Sequence, residues 1–312
     1  MHEQPMIRFI ANHFRRAACL LSPRHIWLPL LLLFLGGLFP GCNKPKAESD
    51  ILTKITVVAT VYPTASIARA VGGKYVEVSW FCEYGQDPRQ FKPSQQQLRL
   101  ARNSDLIITS GFPDTWAGDE LTSRQKNASL IQPEFTPTGL NYNDEQTAMW
   151  LHPQVAKETA NMMRERFTIR EPKRVEDFKT GYQQIAAEID QVDAEYKAAF
   201  AKFKTRRFLS LRSVWNGVCK TYDVEEISPI NTVAHKITVA EIAKLKKAAL
   251  ENETNILAID AATLPGVQRD LEMRTGLKLL LLDNVGSSAP DANSTWPKLM
   301  RYNLEQFEKV LR

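Results

Sequence analysis

Residues 174–204 form one long amphipathic segment that separates the chain into two parts. Apolar side chains recur in it at steps of three and four residues, and it contains no proline and no glycine after Gly181. This spacing predicts a single helix with one apolar face, about 40 Å long at 1.5 Å per residue. Such a helix is too long for an ordinary connection between neighbouring strands, so we expect it to link two lobes.

Short apolar runs alternate with helical stretches on the N-terminal side of this segment. Strands are predicted at residues 55–61, 76–81 and 105–109, where β-branched and alternating apolar residues concentrate. Two helices are predicted between them, one capped by Thr64 and one capped by Ser94. Strands that alternate with helices at this spacing indicate a parallel sheet with helices on both faces.

The same alternation resumes on the C-terminal side. Helices are predicted at 213–222, from the Thr238 cap to Leu250, and from Ser294 onward. Four short strands are predicted around them, at residues 208–211, 224–227, 256–259 and 279–282.

These patterns predict an α/β fold of two Rossmann-like (β/α) lobes with parallel sheets, joined by one long backbone helix. The N-terminal lobe is expected at residues 54–173, the linking helix at 174–204 and the C-terminal lobe at 205–312. Ligands of such sheets bind at the C-terminal ends of the strands. We therefore expect a ligand cleft between the lobes.

The first 41 residues are typical of an export signal. Four arginines precede an apolar run at 26–39, which is too short for an ordinary membrane-spanning helix. The four residues that end at Cys42 resemble a bacterial lipobox, in which the cysteine is lipidated. We therefore predict a signal peptide at 1–41 and a lipid-anchored tether at 42–53, with the alternative of a plain secretory signal cut nearby.

Net charge gives no support to nucleic-acid binding. The full chain carries +5, but four basic residues and one acidic residue lie in residues 1–41, which leaves +2 on the processed chain. Of the four cysteines, only Cys82 and Cys219 remain for the fold after removal of the signal and lipidation of Cys42. In an exported protein they form a disulfide or serve as two small buried apolar side chains.

Five local sequences resemble the zinc/manganese solute-binding proteins of ABC transporters, in the same order along the chain. Each is weakly specific alone, and together they extend from about residue 54 to the C-terminus. They are Thr60-Val61-Tyr62-Pro63, Gly85-Gln86-Asp87-Pro88, Ser104-Asp105-Leu106, Trp150-Leu151-His152-Pro153, and the stretch from Leu282-Asp283 to Tyr302-Asn303-Leu304.

The resemblance implies a metal site, but three of its four positions carry unsuitable residues. Proteins of this family bind zinc or manganese through imidazoles and carboxylates. Here the corresponding positions are Arg89, Ala148, Arg212 and Asp283. Arginine has no lone pair to offer a metal, and alanine has no ligand atom. The resemblance therefore implies a degenerate metal site in which only the aspartate is retained.

A displaced metal site is the first alternative. It would consist of Asp283, His152 and His235, with Asp260 or Glu83 as a further oxygen donor. Three protein ligands are enough for an open zinc site. The competing interpretation is that both histidines are surface or helix-capping residues.

Three interpretations remain open for Arg89 and Arg212, which the resemblance directs toward one cleft. An arginine pairs with Asp283 where the metal would be; or both arginines bind a small anionic ligand; or both point into solvent. Guanidinium groups pair with carboxylates and phosphates through parallel hydrogen bonds, which suits the first two interpretations.

As a whole, the resemblance implies an extracytoplasmic solute-binding lipoprotein, periplasmic or on the cell surface, of a zinc/manganese ABC uptake system. The implied partners are an ABC permease, its ATPase and the membrane that holds the anchor, with Zn²⁺ or Mn²⁺ as the transported ligand and the protein as a monomer. A non-binding scaffold or regulatory lipoprotein is the alternative. No enzyme is expected, because no complete catalytic set of side chains is present.

Overall fold

The computed structural model describes residues 53–109, 121, 129–131, 148–286 and 294–312, with the backbone alone at 129–131. The predicted signal peptide, Cys42 and all but the last residue of the tether lie outside these residues. Residues 51–312 form one compact unit. Within the described ranges, no helix is long and apolar enough to cross a membrane.

The first lobe contains a parallel sheet in the order β2-β1-β3-β4. Every residue of the central strand β1 except Thr56 is buried, as expected for a parallel strand covered on both faces. Its elements are β1 (Ile55–Val61), α1 (Tyr62–Gly72), β2 (Val76–Cys82), α2 (Gln95–Asn103), β3 (Leu106–Ile108) and β4 (Ser129–Ile131).

Two long helices follow, α3 (Pro153–Arg170) and α4 (Val175–Phe200), and pack against each other and against α1. The buried face of α4 carries residues such as Ile185, Val192 and Tyr196, which share one apolar core with residues of both lobes. The Tyr196 hydroxyl donates to the Met300 carbonyl at 2.7 Å. The apolar stripe of α4 therefore holds the two lobes on one helix.

The second lobe repeats the design of the first, with the parallel order β6-β5-β7-β8. A second apolar cluster lies between its sheet and its outer helices. Its elements are β5 (Arg207–Ser210), α5 (Asn216–Thr221), β6 (Glu225–Ile227), α6 (Val239–Glu251), β7 (Ile256–Asp260), α7 (Pro265–Thr275), β8 (Lys278–Leu282) and α8 (Trp296–Leu311).

The α/β fold class, with its two parallel-sheet lobes, is confirmed, and so are two capping predictions. Ser94 and Thr238 each form a capping box, with Gln97 and Glu241 as the respective third helical residues. The long helix ends at Phe200, four residues before the predicted end. Helix α3 was not predicted.

Three predicted helix boundaries are wrong. Helix α1 begins at Tyr62, so Thr64 lies inside its first turn and donates its hydroxyl to the Val61 carbonyl at 2.8 Å instead of capping. The helix expected at 213–222 is shortened to α5, because residues 213–215 form a turn held by a carboxylate. The last helix is capped by Thr295 rather than Ser294.

Cys82 and Cys219 are fully buried and form no disulfide with each other. The disulfide alternative is therefore wrong for this structure, and the two residues act as small apolar side chains of the core.

Candidate functional site

Asp87 accepts hydrogen bonds from two arginines that approach from different lobes. Its Oδ1 accepts from Arg89 Nε at 3.3 Å and from the Arg89 backbone nitrogen at 3.2 Å. Its Oδ2 accepts from Nη1 of Arg212, two residues beyond the end of β5. The three side chains are only 13–17% exposed. One carboxylate of the first lobe thus binds a guanidinium of the second.

A tight turn after β2 brings Asp87 to this place. Gly85 has φ = +79°, in the left-handed region that favours glycine. The Gln86 backbone nitrogen donates to the Glu83 carbonyl at 3.0 Å, and the Gln86 side chain accepts from the Glu83 backbone nitrogen at 2.8 Å. The chain therefore reverses before Asp87, which then faces the second lobe.

The environment of Arg212 is crowded with charge. Burial lowers the pKa of its guanidinium from the usual value, and the neighbouring Arg89 lowers it further. Asp87 and Asp260 act in the opposite direction. Arginine keeps its proton at ordinary pH, so the group remains a partly buried cation that depends on these carboxylates.

Two further carboxylates lie at strand ends of the second lobe. Asp260 ends β7, and its Oδ1 accepts from the Ala262 backbone nitrogen at 2.7 Å. Burial raises the pKa of Asp260, and the negative charge of Asp283 adds to the rise. Asp283 follows β8, is 2% exposed, and accepts on Oδ1 from the backbone nitrogens of Val285 and Gly286 at 3.0 and 2.8 Å.

Two tyrosines lie close to this pair of carboxylates. Burial raises the pKa of Tyr84 to about 12, and Asp283 and Asp260 contribute to the rise. The pKa of Tyr302 is raised by the same three causes, with burial first. Both phenols thus interact electrostatically with the same two carboxylates.

The structure changes the interpretation of the four family metal positions. Neither arginine pairs with Asp283, since the ion pairs of Arg89 and Arg212 are both made with Asp87. The proposed arginine–Asp283 pair is therefore wrong in its acidic partner. Solvent exposure of both arginines is also wrong. Ala148 is buried, and its backbone nitrogen donates to the Val214 carbonyl at 3.0 Å, which adds a second link between the lobes.

The two histidines have different surroundings. His152 is 1% exposed and caps α3, where Nδ1 accepts from the Gln154 backbone nitrogen at 3.2 Å. Its Nε2 lies 2.9 Å from Thr221 Oγ1, which itself donates to the Gly217 carbonyl, so Nε2 carries the proton. Burial lowers the pKa of His152 to about 4. His235 is exposed in the turn before α6.

Across the described ranges, no three His, Cys, Asp or Glu side chains are grouped so that they could hold a metal ion. The alternative set of His152, His235 and Asp283 is therefore not assembled there.

Two arginines also lie where the resemblance puts ligands. At about 4 Å and an effective dielectric constant of about 20, two unit charges interact by about 4 kcal/mol, and a divalent ion doubles this repulsion from each guanidinium.

A cavity of about 330 Å³ opens beside the Asp87–Arg212 contact, mainly within the second lobe. It lies at the ends of β5 and β7, where the strand order of the second sheet reverses. Ligands of open α/β sheets bind at this kind of position. Its apolar wall includes Leu211, Val214, Trp215, Ile259, Val267 and Leu282.

Glu226 braces the turn that follows Arg212. Its Oε1 accepts from the Val214 backbone nitrogen at 3.1 Å, and its Oε2 accepts from the Trp215 backbone nitrogen at 2.8 Å and from Ser213 Oγ at 3.3 Å. Burial raises the pKa of Glu226 to about 7, and these hydrogen bonds act against the rise. The carboxylate thereby fixes the direction in which Arg212 leaves β5.

Sequence reasoning missed the roles of Asp87 and Glu226. Asp87 lies in a quoted motif two residues before Arg89, so a local Asp-x-Arg pair was a usable signal. Glu226 had no such signal, because its contacts with residues 213–215 arise only when β6 pairs with β5.

Comparison with known proteins gives a family match over most of the chain. The sequence profile of the ZnuA family, "Zinc-uptake complex component A periplasmic", matches residues 57–310. The zinc-binding protein AdcA of Streptococcus pyogenes is 21% identical over 311 aligned positions, which cover 88% of this chain and 60% of AdcA. The chain thus spans about three fifths of the length of that relative. The metal ABC transporter substrate-binding lipoprotein SloC of Streptococcus mutans is also 21% identical, over 91% of this chain and 97% of SloC.

Solved structures show the same fold. The Zn(II)-bound ZnuA-like domain of Streptococcus pneumoniae AdcA superposes with a TM-score of 0.71 at 17% identity, over 83% of this chain and 99% of that domain. The Mn-bound periplasmic metal-binding protein of Candidatus Liberibacter asiaticus superposes with a TM-score of 0.70 at 14% identity, over 83% and 100%.

Proposed function

The chain belongs to the ZnuA family of periplasmic zinc-uptake components, and from this we propose that it is the extracytoplasmic solute-binding lipoprotein of a zinc/manganese-type ABC transporter. Proteins of this family bind solutes for transport and are not enzymes, and substrate-binding components of this kind work with a permease and an ATPase. In the proposal, Cys42 carries the lipid anchor and the folded lobes act as a monomer outside the cytoplasm.

The contact between Asp87 and Arg212 carries the functional part of the proposal. It joins the loop after β2 to the end of β5, across the cleft in which the resemblance places the cargo. The cation that bridges the lobes here is a side chain of the protein. We therefore propose that Arg89, Ala148 and Arg212 make the metal site degenerate, with Asp283 as its one retained ligand.

Metal analysis of the purified chain, with calorimetric titration of Zn²⁺ and Mn²⁺, tests this proposal. We expect no tightly held stoichiometric metal. The triple variant Arg89→His, Ala148→His, Arg212→His restores three ligands and removes two repelling charges, so it should bind Zn²⁺ at least 100-fold more tightly. Stoichiometric metal in the unmodified chain would refute the degenerate site.

A matched control changes the same residue types on the surface, as Arg99→His, Ala240→His, Arg269→His. All three positions are exposed, and this control should not gain zinc affinity. Failure of the cleft variant to gain more than the control would show that these positions do not surround one site.

The anchor is tested separately, by metabolic labelling with radioactive palmitate in a bacterial host. We expect label in the full chain, and none in Cys42→Ser. Equal labelling of the two would refute the anchor at Cys42 without affecting the metal question.

A further inference from the structure

We propose that the cavity beside the Asp87–Arg212 contact binds a small zwitterionic organic molecule, an α-amino acid with an apolar side chain. This inference goes beyond the proposed function, because it requires neither a metal ion nor transport. It rests on the size of the cavity, two hydrogen-bonding groups that line it, and its balance of charge.

The size of the cavity suits an organic molecule. Its volume of about 330 Å³ lies in the range of small-molecule pockets, about 300–1,000 Å³. A bare metal ion instead needs ligand atoms at about 2.0–2.6 Å on all sides. An apolar wall with a few polar groups is the usual lining of an organic ligand site.

Arg212 has hydrogen-bond donors left over. Its guanidinium has five N–H groups, and in the described part of the chain only Nη1 makes a hydrogen bond. The Nε and Nη2 groups form an edge with two parallel N–H bonds, which matches a carboxylate. The side chain lines the cavity and is 13% exposed. A ligand carboxylate would satisfy donors that are otherwise largely removed from water.

Asp260 offers the complementary acceptor. It lines the same cavity, and its Oδ1 is occupied by the Ala262 backbone nitrogen at 2.7 Å. No hydrogen bond reaches Oδ2 from any residue that the structure describes. Asp260 lies close enough to Arg212 for the two charges to interact. An ammonium group and a carboxylate on one carbon atom could therefore engage both residues.

The charge of the lining favours a zwitterion over a simple ion. Asp87, Glu226 and Asp260 face Arg212 and Lys236 around the cavity. An anion alone would leave Asp260 Oδ2 without a donor. A cation alone would leave the Nε–Nη2 edge of Arg212 without an acceptor. A zwitterion meets both needs and adds no net charge.

Calorimetric titration of the purified chain with L-leucine tests the proposal. We expect saturable binding to one site. Two probes each lack one charge: 4-methylpentanoate has no ammonium group and isoamylamine has no carboxylate. Each should bind at least 10-fold more weakly, because a charged hydrogen bond is lost. Absence of binding by leucine and by every other standard amino acid would overturn the proposal, and so would equal affinity for leucine and either probe.

Two variants assign the charges to residues. Asp260→Asn should weaken the binding of leucine at least 10-fold but leave the binding of 4-methylpentanoate nearly unchanged. Arg212→Gln should weaken the binding of leucine at least 10-fold but leave the binding of isoamylamine nearly unchanged. Asp270→Asn, on α7 and outside the lining, is the control and should bind leucine normally. Equal losses of affinity for leucine and for the matching probe would overturn the assignment. The comparison of probes on the unmodified chain does not depend on whether a variant folds.

A parallel titration with Zn²⁺ alone separates this inference from the proposed function. Zinc binding without amino acid binding overturns both this inference and the degenerate metal site, and leaves only the family role in metal transport. Amino acid binding without zinc binding supports the inference, whether or not the chain serves a transporter.

Discussion

Arg212 of the second lobe donates to Asp87 of the first, and Arg89 donates to the other oxygen of the same carboxylate. Two guanidinium groups thus depend on one aspartate in a place that is less than one fifth exposed. The contact links the lobes at the cleft, in addition to the link that α4 provides through the core.

Asp87→Asn should lower the free energy of unfolding by about 2–4 kcal/mol, because it removes the negative charge with which two partly buried cations form ion pairs. Urea denaturation measures this change. Asp190→Asn is the matched control: it breaks an ion pair with Lys157 whose side chains are 39% and 60% exposed, and it should cost less than about 1 kcal/mol. Equal effects of the two substitutions would mean that the cleft ion pair is no stronger than a surface pair.

Gly181→Ala should destabilise the fold by more than about 2 kcal/mol, because α1 crosses α4 at this glycine. A Cβ atom there would lie 2.4 Å from the Val71 carbonyl oxygen and 2.8 Å from that of Ala70. Backbone atoms cannot move aside as a side chain can, so the helices would have to separate. Thermal and urea unfolding measure the loss.

Gly266→Ala is the natural comparison, since it also lies in a helix but a Cβ there meets nothing within 4 Å. It should stabilise the protein by about 0.5–1 kcal/mol through helix propensity and reduced freedom of the unfolded chain. If both substitutions change stability in the same direction, the close helix crossing at Gly181 is not the cause.

His152 should make the fold less stable in acid. Its pKa is about 4 in the folded protein and about 6.5 in the unfolded chain, so the unfolded state takes up the proton first. The contribution of the neutral ring is complete above about pH 6.5 and is lost as the pH falls toward 4, by about 3 kcal/mol in all. His152→Asn keeps a capping side chain, and unfolding measured across this range should lose that part of the pH dependence.

Glu226 should act in the opposite direction. Its folded pKa of about 7 lies above the unfolded value of about 4.3, so the folded state holds the proton more tightly, and stability falls as the pH rises through this interval. Glu226→Gln should remove this decrease in stability with rising pH. His152→Asn should remove the increase in stability over the lower part of the range. Between about pH 4.5 and 6.5 the two effects oppose each other, so the free energy of unfolding of the unmodified chain should change little with pH. It should rise with pH in Glu226→Gln and fall with pH in His152→Asn.

The fold could be predicted because its signals are local. Alternating strands and helices, the stripe of apolar residues through α4, and the caps at Ser94 and Thr238 each depend on a few neighbouring residues. The boundaries that were wrong depend on distant contacts. The shortening of α5, for example, follows from the hydrogen bonds of Glu226 to the backbone of Val214 and Trp215.

The candidate site was predictable only in part, for the same reason. The positions of Arg89 and Arg212 near one cleft followed from the resemblance, but the choice between Asp87 and Asp283 as their partner depends on how the two lobes are placed. Asp283 directs one oxygen to the backbone nitrogens of Val285 and Gly286, whereas the turn at Gly85 carries Asp87 toward the second lobe. Neither fact is visible in the spacing of the residues.

Because Arg212 belongs to the same chain as Asp87, its guanidinium is present at that carboxylate at a fixed effective concentration. A free ion leaves its site when the surroundings are depleted of it, but a side chain on the opposite lobe remains next to Asp87 at any dilution. Any external cation must therefore compete with an intramolecular rival. The contact between Asp87 and Arg212 therefore persists when the surroundings are depleted of metal.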